Sequence, residues 1–249
     1  RWIFTRSLLG HLMEDPIISF LSILSSSMGI SIDQLQLSFG IIGVILLGTA
    51  HFRASNGGGI LSVLGWPMIG LFFYLDIPHY IDISDPVLIV MSAAGLPITL
   101  LLAIWEFKMY RGNIEDESII WTRGLVALGA GPYLIIANIP YLNVAAVWIT
   151  AFSANFFLGF SGIEGYELGS VIVDTGVSDV NWSEWNGNRW VLTEQLGDAG
   201  FYIPLIKQVD GTTEVGFVMA CSAMQSMAVF IGALWAIRTA PWKRRMRAA

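Results

Sequence analysis

Charged residues are scarce in this 249-residue chain, at only 13%. That is about half of the roughly 25% carried by a typical soluble domain. A soluble enzyme of this size needs more polar surface to stay dispersed, so a water-soluble globular fold is excluded. Disorder is excluded as well, because 55% of the residues are hydrophobic and disordered chains are poor in them. Cysteine occurs once, as Cys221, which excludes an internal disulfide and a Cys-rich metal centre. The three histidines, His11, His51 and His79, are scattered and fit no metal-ligand spacing; neither a metal nor a cofactor is expected. Thirteen bases against nineteen acids give a net charge of −6 with no long basic stripe, so nucleic acid is not an expected partner.

What the chain does have is apolar sequence, with a mean hydropathy of +0.65. A spanning helix needs about 20 predominantly apolar residues. Candidate runs are Leu35–Phe52, Ile60–Leu75, Pro86–Trp105, Gly124–Ile139, Tyr141–Phe160 and Val215–Ile237. Pro97 and Pro132 lie inside two of them, a break that membrane helices tolerate when neighbours satisfy the freed carbonyl. Pro16–Ile32 is uncharged but serine-rich, with Ser19, Ser22 and Ser26 on one helical face; it reads as an interfacial helix, with a span as the alternative. The expected fold class is therefore an all-α polytopic membrane protein, a helical bundle with about five to six transmembrane helices.

One long polar stretch interrupts this pattern. Residues 161–214 hold nine acids (Glu164, Glu167, Asp174, Asp179, Glu184, Glu194, Asp198, Asp210 and Glu214) and two bases, Arg189 and Lys207, a net charge of −7. Alternation at Ser170–Asp174 and Arg189–Thr193 suggests strands. The pairs Gly187-Asn188 and Asp210-Gly211 suggest turns. A small β-rich cap follows, made aromatic by Trp182, Trp185, Trp190, Phe201 and Tyr202; these serve a cap core and an interfacial belt. The expected domains are an N-terminal interfacial helix over 1–34, transmembrane helices over 35–160, the cap over 161–214, and a last helix with a basic end over 215–249. Arg1 in place of Met, and an end directly after a basic cluster, suggest the edges of a longer chain.

Orientation follows from Lys and Arg, which favour the cytoplasmic side. Arg238, Lys243, Arg244, Arg245 and Arg247 place the C-terminal end inside. Arg53, Lys108 and Arg111 suggest inner loops, and Asp76, Asp82 and Asp85 an outer one. The cap is then extracytoplasmic. These assignments conflict if every candidate crosses, because Gly124–Ile139 and Tyr141–Phe160 together return the chain inside before the cap. Tyr141–Phe160 is the expected exception, on an interfacial or re-entrant path.

Cys221, as the sole thiol, is the only candidate for thiol catalysis. A lone cysteine in an apolar helix is ordinarily a small packing residue. Read as helix from Val215, however, the chain puts Cys221 about two turns, roughly 10 Å, below the cap. Gln225, at i+4, would share its face. Gln225 either orients a substrate carbonyl or bonds a neighbouring helix. A nucleophilic cysteine works as a thiolate favoured by a nearby cation. Arg238, 17 residues on and roughly 25 Å away by helical rise, does not reach; Arg123 starts a different helix on the expected cytoplasmic side, and although Arg189 and Lys207 lie in the cap, no cation stands out by spacing.

The run Val218-Met219-Ala220-Cys221-Ser222-Ala223-Met224-Gln225-Ser226-Met227 resembles the catalytic segment of the archaeosortase A / exosortase family, which reads approximately Ala-Cys-Thr-Gly-Ile-Gln-Ser. Ala220, Cys221, Gln225 and Ser226 match, and Ser222 stands for Thr; Ala223 and Met224 replace Gly and Ile. The Ala240-Pro241-Trp242-Lys243-Arg244-Arg245 continuation, Tyr202-Ile203-Pro204-Leu205 and Trp66-Pro67…Gly70-Leu71-Phe72 also resemble the family. The resemblance implies an integral-membrane cysteine transpeptidase in the cell membrane, multi-pass, with its active site outside. Such enzymes cleave C-terminal sorting signals of exported proteins and transfer those proteins to a membrane lipid anchor. It implies Cys221 as nucleophile, Gln225 and Ser226 as substrate-binding, the C-terminal tails of exported proteins and membrane lipid as partners, and partner arginines past Ala249. The competing readings are a non-catalytic scaffold subunit and a small-molecule transporter; the lack of a mid-helix acid or base in the expected spans weighs against the transporter.

Overall fold

A computed structural model describes residues 16–53, 57–82, 84–192, 196–209, 211–239 and 241. The basic residues Lys243, Arg244, Arg245 and Arg247, and His11, lie outside these. The helices are α1 (Pro16–Met28), α2 (Ile32–Phe52), α3 (Gly57–Tyr74), α4 (Ile77–Asp82), α5 (Pro86–Gly112), α6 (Glu117–Asn138), α7 (Pro140–Phe160) and α8 (Met224–Trp235). Between α7 and α8 run the strands β1 (Tyr166–Leu168), β2 (Ile172–Asp174), β3 (Asp179–Asn181), β4 (Phe201–Lys207) and β5 (Thr213–Val218), then a 3₁₀ turn, Met219–Cys221. By length and composition, five helical stretches among the described residues can cross a membrane: Ile32–Phe52, Gly59–Asp82, Pro86–Gly112, Glu117–Asn138 and Pro140–Phe160. The protein is thus a multi-pass membrane protein on composition, mostly helical with one small sheet.

The chain divides into two compact units, 1–128 with 232–249, and 129–231. In the first, the helix starts follow capping chemistry. Ser31 accepts from the Gln34 amide at 3.1 Å while the Gln34 side chain takes the Ser31 N–H, a capping box. Asp85 accepts from the amides of Val87 and Leu88 at the start of α5, with Pro86 at the first position. Asn113, in the left-handed region at φ 50°, ends that helix. Small residues let the helices approach closely, the usual basis of packing in lipid. Gly43 of α2 lies against Ile69 of α3, and Gly70 of α3 lies against Leu96 and Thr99 of α5. Leu47, Trp66, Ile69, Ala103 and Ala127 form the buried core. The Trp121 indole of α6 donates to the Ala233 carbonyl of α8 at 3.0 Å.

The second unit holds the sheet. β4 is its central strand: β1 and β2 pair with successive parts of it, β5 pairs along its other edge, and β3 pairs β2, all antiparallel. The β4–β5 connection carries Gly211 at φ +70°, a conformation that favours glycine, which bears out the Asp210-Gly211 turn at its described residue. The run over 170–174 does contain a strand. The described part of the second run, residues 189–192, does not, because its polar groups serve the local turn: the Asn188 side chain accepts from the amides of Trp190 and Val191.

One side of α7 packs against this sheet. Val147 and Ala151 are fully buried with Ile203, flanked by Leu168, Val171, Phe217 and Met219. Val144 lies against the cluster of Val173, Trp185 and Phe201. A buried Val or Ile such as these contributes about 1.5–3 kcal/mol when taken from water. The cap core is aromatic as expected: Trp182 stacks on Trp185 at 5.4 Å, and both meet Phe201 edge-on.

The expected 215–237 span is overturned. Val215, Gly216, Phe217 and Val218 pair with Leu205, Pro204, Ile203 and Tyr202 as strand, and α8 begins only at Met224. Twelve residues rise about 18 Å, short of the roughly 30 Å hydrocarbon core. An apolar run rich in Val and Phe satisfies a strand as well as a helix, and the vacant edge of β4 decided between them. The cap boundary therefore moves from Glu214 to Val218.

Candidate active site

Cys221 sits at the junction between the sheet and α8, on the 3₁₀ turn rather than inside a helix. The turn is fastened by Ser222, which is buried. Its hydroxyl donates to the Met219 carbonyl at 2.6 Å and accepts from the Met224 amide at 3.4 Å, its N–H donates to the same carbonyl at 3.0 Å, and α8 starts there. Ser222 thus closes the 3₁₀ turn and accepts from the first amide of α8. Met219 anchors the turn by packing on the Val147–Ala151–Ile203 cluster. The Cys221 thiol itself is free and exposed.

Gln225 and Ser226 lie in the first turn of α8, both exposed. Gln225 does not share a helix face with Cys221, because the two belong to different elements. Its amide nitrogen donates to the Tyr133 hydroxyl at 2.9 Å, which holds the side chain while its carbonyl oxygen stays unengaged among the described residues. Arg189 is committed elsewhere: its guanidinium donates to the carbonyls of Trp182, Ser183 and Trp185 at 2.8–3.3 Å and stacks 4.9 Å over the Trp182 ring. It holds the cap aromatics together and is not a partner for the thiol. Among the described residues, no ion pair or hydrogen bond engages Cys221.

The first unit contains a polar constellation that the sequence reading missed. Glu106 lies within α5, which runs seven residues past the expected end at Trp105. It is 1% exposed. Arg123 of α6, also buried, places Nε 2.8 Å from Glu106 Oε1 and donates from Nη1 to the Ala50 carbonyl at 3.2 Å. The Trp66 indole donates to the same carboxylate oxygen at 3.4 Å. His51, also buried, donates from Nδ1 to the Ile120 carbonyl at 3.0 Å. Arg53 and Arg238 join the pair around a cavity of about 40 Å³. That space holds a few waters, and the contacts themselves tie α2, α3, α5 and α6 together.

In the cap, the Tyr202 hydroxyl donates to Asp179 at 3.0 Å. Burial, and then the Asp179 carboxylate, push the phenol above its ordinary range. No group of three or more His, Cys, Asp or Glu residues suited to a metal occurs among the described residues. Comparison with protein families, curated proteins and solved structures finds no match to this chain.

Proposed function

We propose that this chain is an archaeosortase-like membrane cysteine transpeptidase, with Cys221 as nucleophile. The observation that carries the reading is the presentation of the sole thiol: exposed, on a turn clamped by Ser222, at the seam between an acidic cap and an apolar helix. In this reaction the thiolate attacks the carbonyl carbon at the cleavage site of an exported protein. The amide C–N bond breaks, the proton that the thiol gave up passes to the leaving nitrogen so that the C-terminal tail departs as a neutral amine, and a thioester remains. A lipid-borne amine then attacks the thioester; the C–S bond breaks and the thiol is regenerated. Gln225, fixed by Tyr133, has the amide chemistry to orient the substrate backbone, and Ser226 lies on the same exposed turn of α8. By charge, the acidic cap and Cys221 face outside.

Cys221→Ala and Cys221→Ser will both leave tail-bearing substrates uncleaved in cells, with membrane levels of the protein unchanged on immunoblots. Normal processing by either variant returns Cys221 to a packing role and leaves a non-catalytic membrane subunit as the reading.

A further inference from the structure

We infer that α7 lies in the plane of the membrane surface, its free face in the lipid and the cap on its back, so that the Cys221 turn is held at the water–lipid boundary. The length of α7 permits a crossing: 21 residues rise about 31 Å. Its surroundings do not. The residues that carry the sheet, Val144, Val147 and Ala151, lie in the middle of the helix. If α7 crossed, the sheet would sit at the bilayer midplane, with exposed Glu167, Asp179 and Glu214 and the unpaired backbone edges of β1, β3 and β5. Lipid offers no partners for such edges, and irregular backbone does not occur against hydrocarbon.

The opposite face of α7 has the composition that lipid takes. Trp148, Ile149, Phe152, Phe156 and Phe160 project from one side, all at least 50% exposed. Trp148 and Phe152 are stacked at 5.2 Å. An amphipathic helix of this kind buries its apolar face about 5–10 Å into the headgroup–acyl boundary, and Trp and Tyr favour that depth. The chain's charges agree. With Lys108 and Arg111 inside, α6 leads outward; an in-plane α7 keeps the −7 cap outside, whereas a crossing α7 would bring it in. Because Met219 packs on Val147 and Ala151, Cys221 is carried at the level of this helix. The inference rests on the membrane reading of the chain, and for its meaning to catalysis on the reading of Cys221 above.

The test uses the full chain in vesicles of phosphatidylcholine and phosphatidylglycerol. Nitroxide is attached either to native Cys221 or, in a Cys221→Ala background, to Trp148→Cys, Phe152→Cys or Phe156→Cys. Collision with oxygen against a water-soluble nickel complex reads the depth. The three helix positions are expected at one shallow depth and Cys221 at or just above it. Tyr141→Cys and Phe160→Cys should react with impermeant maleimide from the same side. Depth increasing to the midplane near Phe152, with the two ends labelled from opposite sides, overturns the inference. So does protection of all three helix positions from both collision reagents, which would mean that another protein copy covers the face. Neither result depends on enzymatic activity, so a failed topology and a failed nucleophile remain distinguishable.

Discussion

Glu106 and Arg123 stand on different helices, yet their side chains meet at 2.8 Å in a buried site. Removing one partner of such a pair leaves an uncompensated buried charge and costs about 3–5 kcal/mol, whereas replacing both by apolar residues is often neutral. Glu106→Met is therefore expected to lower the thermal midpoint in detergent markedly, and the double variant Glu106→Met/Arg123→Met to recover most of the loss. An undisturbed midpoint in the single variant would contradict a structural role. Tyr202 offers a second check. Its phenol is held neutral in the folded cap by burial and by Asp179. That contribution is whole below the unfolded phenol's pKa, near 10, and is lost as pH rises through the higher folded value. Ultraviolet titration, taken as the difference between the protein and Tyr202→Phe, should show a midpoint above the ordinary range, and Asp179→Asn should bring it down.

Among the elements, the cap is held by one side chain above others. Arg189 donates to three carbonyls around the tryptophan cluster, its own carbonyl accepts from the Tyr141 amide at the start of α7, and Tyr141 packs edge-on to both Trp182 and Trp190. Arg189→Met keeps much of the stem and removes the donors; the expected loss is about 1–3 kcal/mol, read by tryptophan fluorescence during unfolding. Arg189→Lys should recover little, since an ammonium lacks the planar fork and the stacking surface. Full recovery by lysine would show that charge alone suffices. The strands show why element identity was only partly legible. Ile172–Asp174 announces itself by alternation. The apolar run over 215–218 is indistinguishable from helix until β4 is found beside it.

For the whole molecule, the charge pattern makes a claim about sides. Protease added to sealed cells should cut within 161–214, and cleavage only after inversion of the membranes would reverse the topology. It would also move Cys221 to the cytoplasmic side, away from exported substrates.

Composition and charge order were sufficient for a multi-pass membrane protein with an acidic, aromatic, β-containing insertion, because hydropathy and capping are local properties of the chain. The helix Ile32–Phe52 ends where the expected Leu35–Phe52 run ends and starts three residues before it. Pairing across the chain decided the rest. An open edge on β4 drew residues 215–218 out of the expected helix, and Ser222 set the start of α8, separating Cys221 from Gln225. Glu106 looked like the first residue of a loop until α5 continued through it and Arg123 arrived from α6 to meet its charge. Whether an apolar run becomes strand or helix, and whether an acid is solvated or buried, depends on partners far away in sequence, and only the folded chain supplies those partners.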